Sequence, residues 1–266
     1  MENKEPNRYA KILEAIFLKR YKKGATEIEF ERTEFSQVAD ELGIILPKNL
    51  GDVLYSFRYR TLLPKSITSK APKGSEWIIR PAGKGKYKLA IAKQANIAPT
   101  DVLAETKIPD ATPGVITVYS MNDEQSLLAR LRYNRLVDIF TGLTCYSLQN
   151  HLRTTLRDGS QVETDEIYIG LDKRGAHFVL PVQAKGGKDK IGIVQIEQDF
   201  EMCALKFPRL ICRAIAAQFM EDNLIALFEF ERSKDGIKVT SEKHYRLVRP
   251  EELSPEELES YSIRQP

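Results

Sequence analysis

The sequence predicts an α+β to α/β protein of two domains, and three observations carry that prediction. The first third alternates helical stripes with short strand-like runs and is strongly basic. A proline-punctuated polar stretch follows, and the remainder is dominated by apolar strand-like runs with helical segments between them. At 266 residues, 42% hydrophobic and 29% charged, the chain is long for one small domain and comfortable for two. No run approaches the roughly 18 apolar residues of a membrane span, and the opening MENKEPNRYAKILEAIF is too acidic and polar for a signal peptide, so a cytoplasmic protein is expected. Cys145, Cys203 and Cys212 are odd in number and lack metal-ligand spacing, which points to free, partly buried thiols rather than zinc.

The net charge of +3 hides an asymmetry. Residues 1–100 hold 19 basic and 11 acidic side chains, and the remainder holds 21 and 26. Between Ile44 and Lys93 there are 11 basic residues against Asp52 and Glu76 alone. Such a segment suits a polyanion, because each lysine or arginine that meets a phosphate releases condensed counterions.

In chain order, Arg8 to Lys23 carries Tyr9, Ile12, Leu13, Ile16 and Phe17 at helical spacing, with Gly24 placed for a C-cap. Glu27 to Glu31, EIEFE, alternates like a strand. Phe35, Val38, Ala39 and Leu42 form a second helical stripe, and Leu50, Val53, Leu54 and Phe57 a third after Pro47. WIIRP and KYKLA flank the basic loop Ala82-Gly83-Lys84-Gly85-Lys86 as a hairpin. Helix, short strand, helix, turn, helix and basic hairpin resemble a winged helix-turn-helix domain, covering about residues 7 to 93. The resemblance implies a third helix in the major groove and a wing on the backbone. It would place Lys48, Asn49, Tyr55, Arg58 and Arg60 near DNA, with Lys84, Lys86 and Lys88 on phosphates.

The polar stretch 94–121, with Pro99, Pro109, Pro113 and Gly114, reads as a linker between domains 1–93 and 122–266. Asn122-x-x-Gln125 forms a capping box before EQSLLARLRYNRLVDIF. A further helix is expected from Thr144 to Leu156, with Leu148, Leu152 and Leu156 on one side. Pro181 implies a bulge or an unpaired amide in the run HFVLPVQAK. Arg209 to Met220 and Asn223 to Arg232 read as strands, Asp235-Gly236 as a hairpin turn into IKVTS, and HYRLV as one more strand. Ser254-Pro255-Glu256-Glu257 starts a terminal helix, with proline at its first position and a capping box.

The chemistry concentrates in Gln161 to Gln195. Strand alternation puts Glu163 and Asp165 on one face, and Gln183 with Lys185 on one face of the next strand. Four polar side chains at one end of an apolar sheet are costly unless something compensates the charges. A divalent cation would, since carboxylates and amide oxygens are hard ligands that suit magnesium.

An acidic strand end at Glu163-Thr-Asp165, a turn, and a hydrophobic strand ending in Gln183-Ala-Lys185 resemble the PD-(D/E)xK nuclease superfamily over roughly Asn122 to Arg232. The resemblance implies a restriction endonuclease-like mixed sheet flanked by helices. It makes Asp165 the main metal ligand, Gln183 the occupant of the second-ligand position and Lys185 the catalytic lysine, with Glu163 as a further ligand. The sequence departs from the pattern in lacking a proline before Asp165 and in carrying Gln183 for the usual acid. Gly186-Gly187 lets backbone approach a phosphate. Gln195, in the helix after the lysine, is a further site residue. Ile193, Ile196, Phe200, Cys203 and Phe207 read as that helix's core stripe, with Gln195 and Asp199 off it. Glu124 is either an additional acid or, the simpler reading, a surface carboxylate in a first helical turn.

His151, His177 and His244 are scattered with no G-x-S-x-G motif, and no P-loop is present, so neither hydrolase-triad chemistry nor a bound nucleotide cofactor is expected. The expectation is a Mg²⁺-dependent endonuclease of duplex DNA, first a type II restriction enzyme and a homodimer. The alternatives are a non-catalytic DNA-binding regulator and a structure-selective repair nuclease.

Overall fold

Apolar residues spaced three and four apart fold Arg8–Arg20 into α1, which buries Ile12, Leu13, Ile16 and Phe17. The computed structural model describes residues 8–59, 61–121, 124–186, 189–221, 223–234 and 236–263. β1 (Glu27–Glu31) shows strict alternation, with Ile28 and Phe30 inward and three glutamates outward. α2 (Arg32–Glu41) and α3 (Leu50–Tyr59) follow, and the Asn49 side chain caps α3 by accepting the Gly51 N–H at 3.2 Å. A single turn, α4 (Lys65–Thr68), leads to the hairpin of β2 (Glu76–Pro81) and β3 (Lys86–Ala92). The strands form an antiparallel sheet in the order β1-β3-β2. Phe17 stacks on Tyr21, and both meet Trp77 edge to face.

The chain continues through β4 (Asn96–Ile97), β5 (Glu105–Pro109), α5 (Gly114–Tyr119), α6 (Glu124–Tyr133) and α7 (Leu136–Thr141). Then come β6 (Thr144–Thr155), β7 (Gln161–Leu171), β8 (His177–Lys185), β9 (Ile191–Gly192) and α8 (Ile193–Lys206). β10 (Ile211–Cys212), β11 (Ala214–Phe219), β12 (Leu224–Ser233), β13 (Gly236–Val248) and α9 (Pro255–Ile263) complete it. Two compact units result: residues 1–97 with 154–162 and 192–194, and residues 98–153, 163–191 and 195–266. None of the described helices is long and apolar enough to cross a membrane.

The second unit is built on a mixed sheet in the order β5-β13-β12-β11-β8-β7-β6. β7 and β8 are antiparallel, from Leu171↔His177 to Glu166↔Val182. α8 then carries the chain back so that β10 and β11 lie parallel to β8, as a parallel pair requires. β12 and β13 are antiparallel additions. Leu127, Leu128 and Leu131 of α6 pack with Tyr168, Leu180 and Val182 in one core on one face of the sheet.

Gly170 sits where that core is tightest. A Cβ there would lie 2.9 Å from Leu180 Cδ1 and 3.0 Å from Leu143 Cδ1, both in the packed cluster. Gly170→Ala is therefore expected to cost about 1–3 kcal/mol by overpacking, read from the urea midpoint.

Several expectations are corrected. Thr144–Leu156 is a strand with a turn after it, not a helix. Leucines at 148, 152 and 156 share a face in a strand as well as in a helix, and β6 lies at the sheet's edge with most residues exposed, which erases the alternation that would mark it. The supposed linker 94–121 supplies β5, which pairs parallel to β13 and is held by a bidentate Arg246–Glu105 pair at 2.6 and 2.8 Å. IKVTS and HYRLV belong to one strand, β13. Pro181 causes no break with β7, where it pairs Ile167; on the other side β8 changes partner from β10 at Val179 to β11 at Val182. The terminal capping box is present, with Ser254 N–H donating to Glu257 at 3.0 Å and Glu257 N–H to Ser254 at 3.2 Å. Ser254→Ala should cost about 1 kcal/mol in thermal unfolding. Asn122, Gly187 and Asp235 lie outside the described residues.

Candidate functional site

At the carboxyl end of β8 the ladder with β7 ends at Glu166↔Val182, while pairing with β11 continues to Lys185. Two residues past the last position paired with β7, the Ala184 N–H donates to the Asp165 side chain, Oδ2, at 2.8 Å. A carboxylate thus takes a main-chain donor between β7 and β8. Asp165 is pushed up from its ordinary range by burial, against the pull of the Lys185 charge and the Ala184 N–H, while the charge of Glu124 raises it further.

Lys185 ends β8 with its side chain only 10% exposed, and its ammonium meets Glu124 Oε1 at 3.0 Å. Glu124 opens α6, so the first helical turn and the strand end meet at an ion pair. The Glu124 carboxylate is half-exposed and directed to the lysine.

Behind this end lies a buried polar chain. Asp199 of α8 is fully buried, accepts from Thr164 Oγ1 at 2.5 Å, and receives Gln183 Nε2 at 3.1 and 3.0 Å. Gln183 Nε2 also reaches the Glu163 carbonyl at 3.3 Å, and its Oε1 accepts from Gln195 Nε2 at 3.5 Å. Burial pushes the Asp199 carboxyl up to about 7, the bonds from Thr164 and Gln183 pull against it, and the Asp165 charge adds to the rise.

The residues expected at the site therefore separate. Asp165 and Lys185 come together, and Glu124 joins them. Gln183 and Gln195 belong to the buried chain around Asp199. Glu163 is exposed and pairs instead with Arg153 at 3.1 Å and with His151 Nδ1 at 3.4 Å, both on β6. His151 holds a left-handed backbone at φ 49° and meets Gln125 Nε2 at 2.8 Å through its other ring nitrogen.

Phe200 and Phe207, expected in the core stripe of α8, are only half-buried, and Asp199, expected off it, is fully buried. The buried stripe is Ile196, Asp199, Met202 and Cys203. An acid three residues after one core position and four before another was the available signal.

The chain matches no known family model, no characterised protein and no solved structure.

In the first unit, Lys48, Asn49, Tyr55, Lys84 and Lys86 are exposed, and Arg58 and Lys88 are half-buried. Asn49 is engaged as the α3 cap. Lys88 pairs with Glu27 at 2.9 Å and Lys86 with Glu31 at 3.8 Å, across the β1–β3 ladder. Two of the three wing lysines, Lys86 and Lys88, thus face the outward glutamates of EIEFE. Arg60 lies outside the described residues.

Proposed function

We propose that the protein is a Mg²⁺-dependent endonuclease of duplex DNA, with Asp165, Lys185 and Glu124 as its reactive centre. The observation that carries this reading is the meeting of the Lys185 ammonium with acid from α6 beside a half-buried Asp165, where the β7–β8 ladder gives way to a side-chain bond. The sheet around it supports a PD-(D/E)xK-type assignment: neighbouring strands β6, β7 and β8, a helical crossover, and a parallel β11. The order β1-β3-β2 behind three helices supports a winged-helix reading of the first unit.

The donor set fits magnesium. Among the described residues no trio of His, Cys, Asp or Glu could hold a metal unaided. Magnesium commonly takes one or two carboxylates from a protein and fills its remaining positions with water and phosphate oxygens. Asp165 and Glu124 supply those two, and a divalent cation would relieve the mutual charge that raises Asp165. When bound, such an ion supplies Lewis-acid polarisation of the phosphoryl group and a more acidic water.

The chain's own residues do the rest. Lys185 is held by Glu124 so that its charge is directed before substrate arrives, which spares reorganisation as negative charge grows on the phosphoryl oxygens. Asp165 is kept rigid by the Ala184 N–H. Glu163 and Gln183 are not needed as ligands in this reading, since their polar atoms serve Arg153, His151 and Asp199.

A type II restriction enzyme acting as a homodimer is the first biological form of the proposal, because one such centre cuts one strand. A structure-selective repair nuclease would differ only in cutting branched or damaged DNA without a defined sequence. A non-catalytic DNA-binding protein is the second reading, favoured by the amide at Gln183 where an acid is usual. Labelled duplex incubated with magnesium tests the chemistry: ligatable 5′-phosphate ends are expected, and their loss in Asp165→Asn. Duplex that is bound but intact would favour the second reading.

The wing makes a separate prediction. Lys84→Glu is expected to weaken duplex binding and flatten its salt dependence more than Lys88→Glu, because Lys88 already faces Glu27. Equal slopes for wild type and Lys84→Glu would remove the wing from the DNA.

A further inference from the structure

The amide at position 183 has a cause in the fold. Its nitrogen reaches both carboxylate oxygens of Asp199, at 3.1 and 3.0 Å, and the Glu163 carbonyl at 3.3 Å. One side chain on β8 therefore grips α8 and the main chain of β7 at once. Glu163 lies two residues before Asp165, and Gln183 lies two before Lys185, so the grip falls just behind both members of the reactive centre. An ionised carboxylate can only accept, which fixes the amide nitrogen toward Asp199 and leaves the amide oxygen toward Gln195. Gln183 is 1% exposed and Asp199 is fully buried, so neither is open to substrate.

We propose that Gln183 is a positioning residue and not a ligand: clamped by Asp199, it sets the ends of β7 and β8 so that Asp165 and Lys185 are presented together. The proposal rests on the endonuclease reading for what is being positioned, but the clamp itself is independent of it. The acid usually expected on the strand is not simply missing. The pair divides one donor and one acceptor between strand and helix, with the amide on β8 and the carboxylate on α8. A glutamate at 183 would point an acceptor at an acceptor in a buried site.

The test is a reciprocal swap at pH 8, read by urea unfolding and by duplex cleavage with magnesium. Gln183→Glu is expected to lower the urea midpoint and to reduce kcat by about tenfold or more with little change in KM. Adding Asp199→Asn restores a donor opposite the new carboxylate: kcat should return to within about threefold of wild type, and the urea midpoint should recover most of the loss. A ligand role predicts the reverse: Gln183→Glu alone would be as stable as wild type, would need less magnesium, and would gain nothing from Asp199→Asn. That result overturns the proposal. So does a double variant that regains stability but cuts no faster than Gln183→Glu, because the amide would then act on the reacting atoms. If wild type itself does not cut, the endonuclease reading fails, and rescue of the urea midpoint alone still decides the clamp: recovery supports it, and no recovery overturns it.

Discussion

Lys185→Ala is expected to slow magnesium-dependent cleavage by about a thousandfold while leaving duplex affinity within about twofold, measured by single-turnover cleavage and by binding in calcium. The size follows from where the ammonium sits. Its side chain is 10% exposed at the end of β8, beside a half-buried Asp165 and tied to Glu124 at 3.0 Å, so its charge is little screened by water. Removing a preorganised donor at such a place typically costs two to three orders of magnitude. The fold should survive, because Glu124 is half-exposed and hydrates when its partner leaves. Lys185→Arg should rescue only a fraction, since a planar fork cannot occupy the position of a compact ammonium. A variant that cuts at the wild-type rate would remove Lys185 from the chemistry.

The second large effect is on stability against pH. Asp199 in the unfolded chain ionises at its ordinary 3.8, and in the fold burial raises it to about 7. Between those values the native state binds the proton that the unfolded state releases. Its contribution is therefore fully present below the unfolded value and is lost as pH rises through the folded one, in total about 4 kcal/mol. Asp165 and Glu166 are raised by burial in the same direction. Glu105, lowered by its bond to Arg246, acts oppositely, but its contribution is lost only as pH falls through the acid range. The urea midpoint should accordingly be higher at pH 5 than at pH 8, and Asp199→Asn should flatten most of that difference. A midpoint that climbs from pH 5 to pH 8, or a slope untouched by Asp199→Asn, would contradict the burial of this carboxylate.

What the sequence made legible was local. EIEFE announced β1, the capping residues announced α9, and the apolar run ending at Lys185 announced β8, because each rests on periodicity or side-chain bonds within a few residues. β5 is decided by pairing with a distant strand, β13, and β6 is an edge strand beside its sequence neighbour β7; both are short of buried side chains, so neither shows the alternation that would mark it. In the candidate site, strand alternation singles out Asp165 and Lys185. Their partners lie beyond its reach. Glu124 is brought in from α6 by packing, and Asp199 from α8 by the crossover, while Glu163 obeys the alternation yet finds Arg153 and His151 instead. The strand rule also fails just where the ladder breaks: Thr164 and Asp165, adjacent in sequence, are both engaged in the site region, one with Asp199 and the other with the Ala184 N–H.

The most direct measurement is incubation of supercoiled plasmid with the wild-type protein in magnesium, in manganese and in chelator, with binding followed on the same DNA. Nicked or linear plasmid is expected with either metal, none in chelator, and none from Lys185→Ala or Asp165→Asn although both still bind. Tight binding by wild type with the plasmid left supercoiled in both metals would contradict the endonuclease reading.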